Sequence, residues 1–262
     1  MLKGIMGLVF FIFGLAVGSF LNVCIYRLPR KESIIFPNSH CPHCGGVIKI
    51  YDNIPLVSYL LLKGRCRYCE GRISIQYPLV ELLTGLLFLF CFLKFGPSTR
   101  FLSASFFTSI LLLVAAIDLK HKIIPNKVIL PALVIQAILV ILSNPQAMSS
   151  SLIGFFIGGG LLLLVALLAH LFLRREGMGG GDIKLAAFLG IFLGWYVLIA
   201  LFLGFLLGAI AGIALIIFKE MSRRDIIPFG PFLALGGLIT LFFGPQIFHY
   251  YLSLCSLRFF RL

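Results

Sequence analysis

Two aspartates are the residues most suited to chemistry, because each lies where a long apolar run ends or begins. Asp118 closes one run just before Lys120, and Asp182 opens another directly after three glycines. Acidic side chains beside apolar runs are costly and mark functional sites. Two carboxyl groups that share one site do not both ionise easily, so one keeps a proton. The pair then supplies a base that activates water and an acid that protonates a leaving amine, as in aspartic proteases.

Each aspartate taken alone also has a structural interpretation. Asp182 after a glycine run is a good helix N-cap, and Asp118 beside Lys120 is compatible with a solvated ion pair. Lys184 could extend to the membrane surface or bind substrate. The glycines before Asp182 would let an extended substrate backbone come close, because they carry no side chains. These candidate binding glycines are Gly179, Gly180 and Gly181.

Four cysteines form two Cys-x-x-Cys pairs, Cys41 with Cys44 and Cys66 with Cys69, with 21 residues between the pairs. Each pair bends the backbone so that two thiolates reach one ion, and two pairs complete a tetrahedral Zn²⁺ site. A closed four-thiolate site indicates a structural ion rather than a catalytic one. Disulfides or free thiols are the alternatives. Disulfides require an oxidising compartment, and the many basic residues around these cysteines favour the cytosol.

The composition places these residues in a membrane protein. Of the 262 residues, 60% are hydrophobic and 12% are charged, whereas soluble domains have roughly 25% charged residues. This excludes a soluble globular protein and a disordered one. A net charge of +13 is also found in nucleic-acid-binding proteins, but here its distribution along the chain indicates membrane topology. We expect no nucleic-acid partner.

The apolar stretches predict an all-α polytopic membrane protein with about eight transmembrane helices, since each span needs ~20 apolar residues. The sixth stretch is short and adjoins the seventh, which predicts a tight helical hairpin. The first is interpreted as an uncleaved anchor rather than a signal peptide, because it continues to Ile25. The stretches are 4–26, 77–95, 101–117, 126–143, 151–173, 183–195, 197–218 and 229–250.

Lys and Arg residues are unevenly divided between the two sides of these spans, with 17 on one side and 5 on the other. By the positive-inside rule the richer side faces the cytoplasm, and both termini lie outside. That basic face suits anionic lipid headgroups. We expect residues 1–26 to form the first transmembrane helix, residues 27–76 a cytosolic four-cysteine zinc-binding domain, and residues 77–262 a seven-helix transmembrane core that carries both aspartates.

Glu81 is a further candidate, because it lies just inside the second predicted span, one helical turn beyond Tyr77. An acid at that depth suggests a function, such as binding the ammonium group of a substrate or a group on a cofactor. The alternative is an ion pair with Arg27 or Arg72. The sequence leaves both open.

The motifs, taken together, resemble the type IV prepilin leader peptidase family, whose members are GxGD-type membrane aspartyl proteases. The resemblance covers almost the whole chain, and six blocks in the same order make it specific although each block is weak alone. The catalytic blocks agree with the family pattern, with Gly180 as the variable residue of GxGD. The blocks are GSFLNVCIYRLP (18–29), the paired Cys-x-x-Cys motifs, GRISIQYPLVE (71–81), Asp118 with Ile124-Pro125-Asn126, GGGDIKL (179–185) and FGPFLALGG (229–237).

The resemblance implies a bifunctional enzyme of the bacterial plasma (inner) membrane. It would remove the basic leader of type IV prepilins and pseudopilins at the cytosolic face, with Asp118 and Asp182 as the catalytic pair. It would then methylate the new N-terminal amine with S-adenosylmethionine as the methyl donor. No glycine-rich nucleotide loop follows a predicted strand, so the sequence indicates no cofactor fold of the kind found in soluble enzymes.

Two alternative functions remain open at this point. Another GxGD-type intramembrane aspartyl protease, without methyltransferase activity, would place its aspartates deeper and would not call for a four-cysteine insert. A proton- or cation-coupled transporter would carry more acids within its spans, whereas these spans are otherwise nearly free of charge.

Overall fold

The structure is a computed structural model that describes residues 2–173, 179–218 and 227–259, with side chains described for 3–172, 179–218 and 227–253. Within these residues the chain forms α-helices, three short 3₁₀ turns and two isolated β-bridges, without a β-strand. The predicted all-α class is confirmed. The helices are α1 (Leu2–Arg27), α2 (Val57–Leu61), α3 (Gln76–Phe95), α4 (Thr99–His121), α5 (Asn126–Ser143), α6 (Met148–Leu173), α7 (Gly180–Leu193), α8 (Val197–Ile217) and α9 (Gly230–Phe259).

Seven stretches of the described chain are long and apolar enough to cross a membrane. Six of them correspond to α1, α3, α4, α5, α6 and α9, and the seventh, Gly180–Ile217, contains both α7 and α8. With 14 residues, α7 is ~21 Å long, which is shorter than the ~30 Å hydrocarbon core. The eight predicted stretches therefore match eight helices, of which α7 is too short to count as a span by itself.

A tight turn joins α7 to α8. The turn starts at Gly194, whose φ of +56° reverses the chain, and continues as a single 3₁₀ turn. Gly212, near the end of α8, lies beside Ile227, which precedes α9. The starts of α7 and α9 lie at the same end of the unit, because both approach Asp118. The end of α8 therefore lies at the same end of the unit as the start of α7. The two helices run in opposite directions, and the predicted hairpin is confirmed.

Contacts between residues divide the chain into two compact units, residues 1–113 and 114–262. In the first unit α1 and α3 are antiparallel and closely packed, with Gly18 against the backbone of Glu81. One turn further along, the Asn22 side-chain amide donates to the Tyr77 carbonyl at 3.0 Å. The three-part division predicted from the sequence stays a prediction.

Small residues bring the helices of the second unit together. Helix α6 is antiparallel to α7, with Gly154 against Gly190 and Gly158 against Ala186. Close approach at small residues is the usual way in which membrane helices gain van der Waals contact. The packing places the start of α7 beside the end of α4. Five of the 17 basic residues counted on the predicted cytoplasmic side lie outside the described residues, namely Arg174, Arg175, Lys219, Arg223 and Arg224.

Candidate active site and metal centre

Asp118 is held by the first residue of a distant helix. It lies in the last turn of α4 with 5% of its surface exposed, and its Oδ2 accepts a hydrogen bond of 2.9 Å from the Gly230 N–H. The first N–H groups of a helix have no partner within that helix, and the partial positive charge there favours an anion. The start of α9 therefore orients the Asp118 carboxylate.

Position 230 accepts only glycine without rearrangement. A Cβ atom at Gly230 would lie 2.7 Å from Oδ2 of Asp118 and 3.2 Å from its Cγ. The sequence placed residue 229 at the start of the last predicted span, and the contact of Gly230 with the catalytic candidate was missed. A Gly-Pro pair opening a helix was the available signal, but it does not say which side chain approaches the glycine.

Asp182 lies in the first turn of α7 and is half-buried. Its N–H donates to the Gly179 carbonyl at 3.0 Å. A Cβ at Gly181 would lie 2.7 Å from the Cβ of Ile124, so α7 begins in close contact with the segment that follows α4. At Gly180 an added Cβ would meet nothing within 4 Å. Packing therefore accounts for Gly181, whereas Gly180 faces open space beside the aspartate.

The two aspartates lie together. Their carboxyl groups are close enough for the charge of Asp118 to act on Asp182. Next to them, the Lys184 ammonium donates to the Asn126 side-chain carbonyl at 2.7 Å and ties α7 to the start of α5. A paired, partly buried set of carboxyl groups at helix ends can perform acid–base chemistry on a bound water.

Glu81 lies in the first unit and is buried. Its Oε2 accepts a hydrogen bond of 2.9 Å from the Leu56 N–H, and the carboxylate also interacts with the Ser19 hydroxyl. The alternative ion pair with Arg27 is not formed, because the Arg27 guanidinium donates instead to the carbonyls of Ser33 and Pro37. Arg27 thus organises the chain leading to the first cysteine pair, a role that the sequence analysis missed.

The four cysteines converge on one point. Their Sγ atoms all lie within 4.8 Å of one another, and those of Cys41 and Cys69 are 3.9 Å apart. A disulfide bond needs about 2.05 Å, so this is a thiol cluster and the disulfide alternative is not supported. This cluster could bind a metal ion.

The two cysteine turns have the same hydrogen bonds. The N–H of Cys41 donates to the Gly46 carbonyl, and the N–H of Cys66 donates to the Gly71 carbonyl, both at 2.9 Å. The first turn uses Gly45 at positive φ, whereas the second uses Glu70. Each turn therefore directs its two thiols toward the shared point, although only the first has glycine at the positive-φ position.

The electrostatics of the cluster favour a bound cation. The N–H groups of Cys69 and Tyr68 lower the pKa of the Cys66 thiol to about 7. At Cys69, the Gly71 N–H lowers the pKa, but desolvation and the neighbouring thiols outweigh it and raise the pKa to about 11. Thiols this close cannot all become thiolates unless a positive charge compensates them.

Comparison with known proteins decides the family. A model of the bacterial peptidase A24 N-terminal domain matches residues 12–95, and a model of the type IV leader peptidase family matches residues 105–215. The prepilin leader peptidase/N-methyltransferase of Aeromonas salmonicida is 38% identical over 93% of this chain and 92% of its own length. That of Legionella pneumophila is 38% identical over 95% of each chain. The chain belongs to the type IV leader peptidase family. No solved structure is a significant match.

Membership of the type IV leader peptidase family confirms the resemblance found in the sequence. It also identifies the chain as an enzyme, which favours the peptidase over the transporter alternative. The matched relatives are named for both activities, a peptidase and an N-methyltransferase. The second family model includes Asp118 and Asp182 and ends before Gly230.

Proposed function

We propose that this chain removes the leader peptide of type IV prepilins or pseudopilins and then methylates the amino group of the new N-terminal residue. The observation that carries the proposal is the pairing of Asp118 with Asp182 in a chain whose relatives, matched over nearly their full length, are named for both activities. The interpretation of either aspartate as an isolated cap does not explain why the two carboxyl groups lie near enough to interact.

In the peptidase reaction the aspartate pair acts on a water and on the scissile amide. One carboxylate takes a proton from the water as it attacks the carbonyl carbon, and the other carboxyl donates a proton to the leaving amine. The Gly230 N–H holds Asp118 in place during this exchange. Gly180 leaves room for an extended substrate backbone beside Asp182.

The cysteine cluster is proposed to bind one structural Zn²⁺. A tetrahedral ion with Zn–S bonds of ~2.3 Å separates its sulfurs by ~3.8 Å, and the Sγ atoms of Cys41 and Cys69 are 3.9 Å apart. Cys44 and Cys66 complete the set. With four thiolates no position is open for a substrate, so the ion would hold the two turns together.

Methylation requires a donor, for which we propose S-adenosylmethionine. When bound, it would supply the methyl group to the new N-terminal amine. Glu81 and Asn22 are suited to hold an ammonium group of the donor or the substrate. Glu81 is a buried acid, and the buried Oδ1 of Asn22 has no hydrogen-bond partner within the described chain. Both line the same α1–α3 contact, next to Ser19 and Tyr77.

We further propose that the aspartates and the cysteine domain face the cytosol, with both termini outside a bacterial inner membrane. The excess of basic residues on that side supports this orientation. Aromatic side chains at the other end mark the opposite interface, because Trp and Tyr collect at both membrane–water interfaces. Trp195 is exposed in the turn after α7, and Tyr250 and Tyr251 are exposed near the end of α9.

The test is to incubate the purified chain with a prepilin and S-adenosylmethionine and to measure the mass of the mature N-terminus. Cleavage after the basic leader, followed by a gain of one methyl group, is expected. Cleavage within the apolar helix of the substrate would indicate another kind of intramembrane protease. A cleaved but unmethylated product would limit the function to the peptidase.

A further inference from the structure

The segment between the two cysteine pairs exposes an apolar surface. Residues 54–61, which include α2, are called the apolar loop below. In this loop Leu60 is 73% and Leu61 is 76% exposed, and Ile54 and Val57 are exposed as well. A contiguous apolar surface of this kind usually marks contact with a partner or a membrane.

The apolar loop is attached to α1 and α3, the two long helices that flank the cysteine segment. The Leu56 N–H donates to Glu81, which lies ~8 Å along α3 from its first residue. The same carboxylate interacts with Ser19, which lies ~12 Å from the last residue of α1. Two helices thus hold Leu56 near the ends that lead into and out of the cysteine segment, where the sequence predicts the cytosolic membrane interface.

The loop is held in a defined conformation rather than being a flexible linker. Leu56 has a φ of +59°, which is uncommon for a non-glycine residue and persists only when the surroundings impose it. The Ser58 hydroxyl donates to the Tyr51 carbonyl at 2.9 Å, and the Ile54 N–H donates to the Ser58 oxygen at 3.1 Å. The structure therefore builds and fixes the surface that carries Leu60 and Leu61.

A cationic cleft adjoins the apolar loop. It has a volume of about 500 Å³ and is lined by Leu61, Leu62, Lys63, Arg65, Cys66, Arg67 and Glu70. Arg67 forms a salt bridge with Asp52, whereas Lys63 and Arg65 form no salt bridge with any acid of the described residues. The basic residues of the cleft outnumber its one acid, Glu70. Exposed leucines beside this excess of positive charge match the boundary between acyl chains and anionic headgroups.

We propose that the apolar loop inserts into the membrane interface and that Lys63 and Arg65 bind the phosphate of an anionic phospholipid in the same leaflet. The loop then anchors the cysteine domain to the lipid surface, independently of leader cleavage. The lipid is the favoured occupant because the loop is attached to two predicted transmembrane helices near their ends and basic side chains adjoin it.

Insertion can be tested with a single tryptophan, since Trp195 is the only one in the chain. In a Trp195→Phe background, Leu61→Trp is compared with Val47→Trp, an exposed position in the first cysteine turn. The full-length protein is reconstituted in phosphatidylcholine and phosphatidylglycerol vesicles with brominated acyl chains. Several-fold stronger quenching at position 61 than at position 47 is expected. Equal quenching overturns the proposal, and so does a blue-shifted but unquenched emission, which would mean that protein covers this surface.

The same probe tests the headgroup preference. Phosphatidylcholine vesicles receive a small fraction of brominated phosphatidylglycerol or brominated phosphatidylcholine, and quenching at position 61 is compared. Preference for the anionic lipid should fall roughly fivefold for each charge removed in Lys63→Gln/Arg65→Gln. The matched pair Arg30→Gln/Lys31→Gln removes two exposed charges outside the cleft and should keep the preference. An equal loss in both pairs would show only the general attraction of a basic surface and would overturn the assignment to Lys63 and Arg65.

Discussion

The Gly230 N–H donates to Asp118 Oδ2 at 2.9 Å and joins residues that are 112 positions apart in the chain. The contact joins the last turn of α4 to the first residue of α9. It leaves no room for a side chain at position 230, because a Cβ there would lie 2.7 Å from the carboxylate oxygen. The orientation of one proposed catalytic aspartate therefore depends on a backbone group of another helix.

Gly230→Ala should lower peptidase activity more than it lowers stability, since the new methyl group displaces the Asp118 carboxylate. A decrease of tenfold or more in kcat is expected, because misplacement by ~1 Å can cost ~10²-fold. Gly160→Ala is the matched control, since a Cβ there meets nothing within 4 Å and alanine favours a helix over glycine. Normal kcat in Gly230→Ala would show that the contact does not position the aspartate.

Asp118→Asn and Asp182→Asn should each reduce leader removal by about 10²–10⁴-fold, the usual contribution of a general acid or base. An amide can neither accept the proton of water nor return it. Initial rates on a purified prepilin check this, with the exposed Glu32→Gln as a control for the loss of a carboxylate. If either single variant cleaves at the normal rate, the assignment of a catalytic pair is wrong.

Lys184→Met and Asn126→Ala should lower peptidase activity by less than tenfold each, because the hydrogen bond that they share is exposed and exposed pairs contribute little. If that bond positions α7, the double variant should lose no more activity than the more damaged single variant. Losses that multiply in the double variant would instead indicate independent roles, such as contact between Lys184 and substrate. Peptidase rates for the four proteins of the cycle decide this.

The purified protein should contain about one Zn per chain, as a single tetrahedral site requires. Cys41→Ser or Cys69→Ser should lose the metal and destabilise the segment 27–76, whereas Cys24→Ala, which alters a buried cysteine outside the cluster, should keep it. Metal affinity should also fall as the pH is lowered, because bound thiols must first lose their protons. Elemental analysis combined with limited proteolysis measures both effects. Retention of full metal content in the serine variants would contradict the four-cysteine site.

Glu81→Gln and Glu81→Ala should separate two roles of the same side chain. Glutamine keeps an acceptor for the Leu56 N–H, so its stability should be near that of the wild type, whereas alanine leaves a partly buried donor unpaired at a cost of about 1 kcal/mol, the lower end of the range for a buried group. If Glu81 binds an ammonium group, both variants should lose methylation while cleavage continues. Mass analysis of the mature N-terminus gives the readout. Full methylation by the glutamine variant would reduce Glu81 to a support for the apolar loop.

Several features of this protein were predictable from the sequence, because neighbouring residues determine them. Apolar stretches of sufficient length identified the membrane helices, and the short stretch before Trp195 indicated the hairpin of α7 and α8. The spacing of Cys41, Cys44, Cys66 and Cys69 predicted their convergence, since each Cys-x-x-Cys turn directs two thiols to one side. The order of the motifs also predicted the family.

Only the tertiary structure decided which residues of different helices meet. Asp118 with Gly230, Lys184 with Asn126 and Glu81 with Leu56 are pairs far apart in the chain, and their contacts depend on the depth and rotation at which helices pack. No local pattern encodes that register, because apolar membrane helices present similar surfaces on many sides. The sequence by itself therefore determined which chemical groups this enzyme has and on which side of the membrane they are expected. Helix packing determined which backbone and side-chain groups orient them.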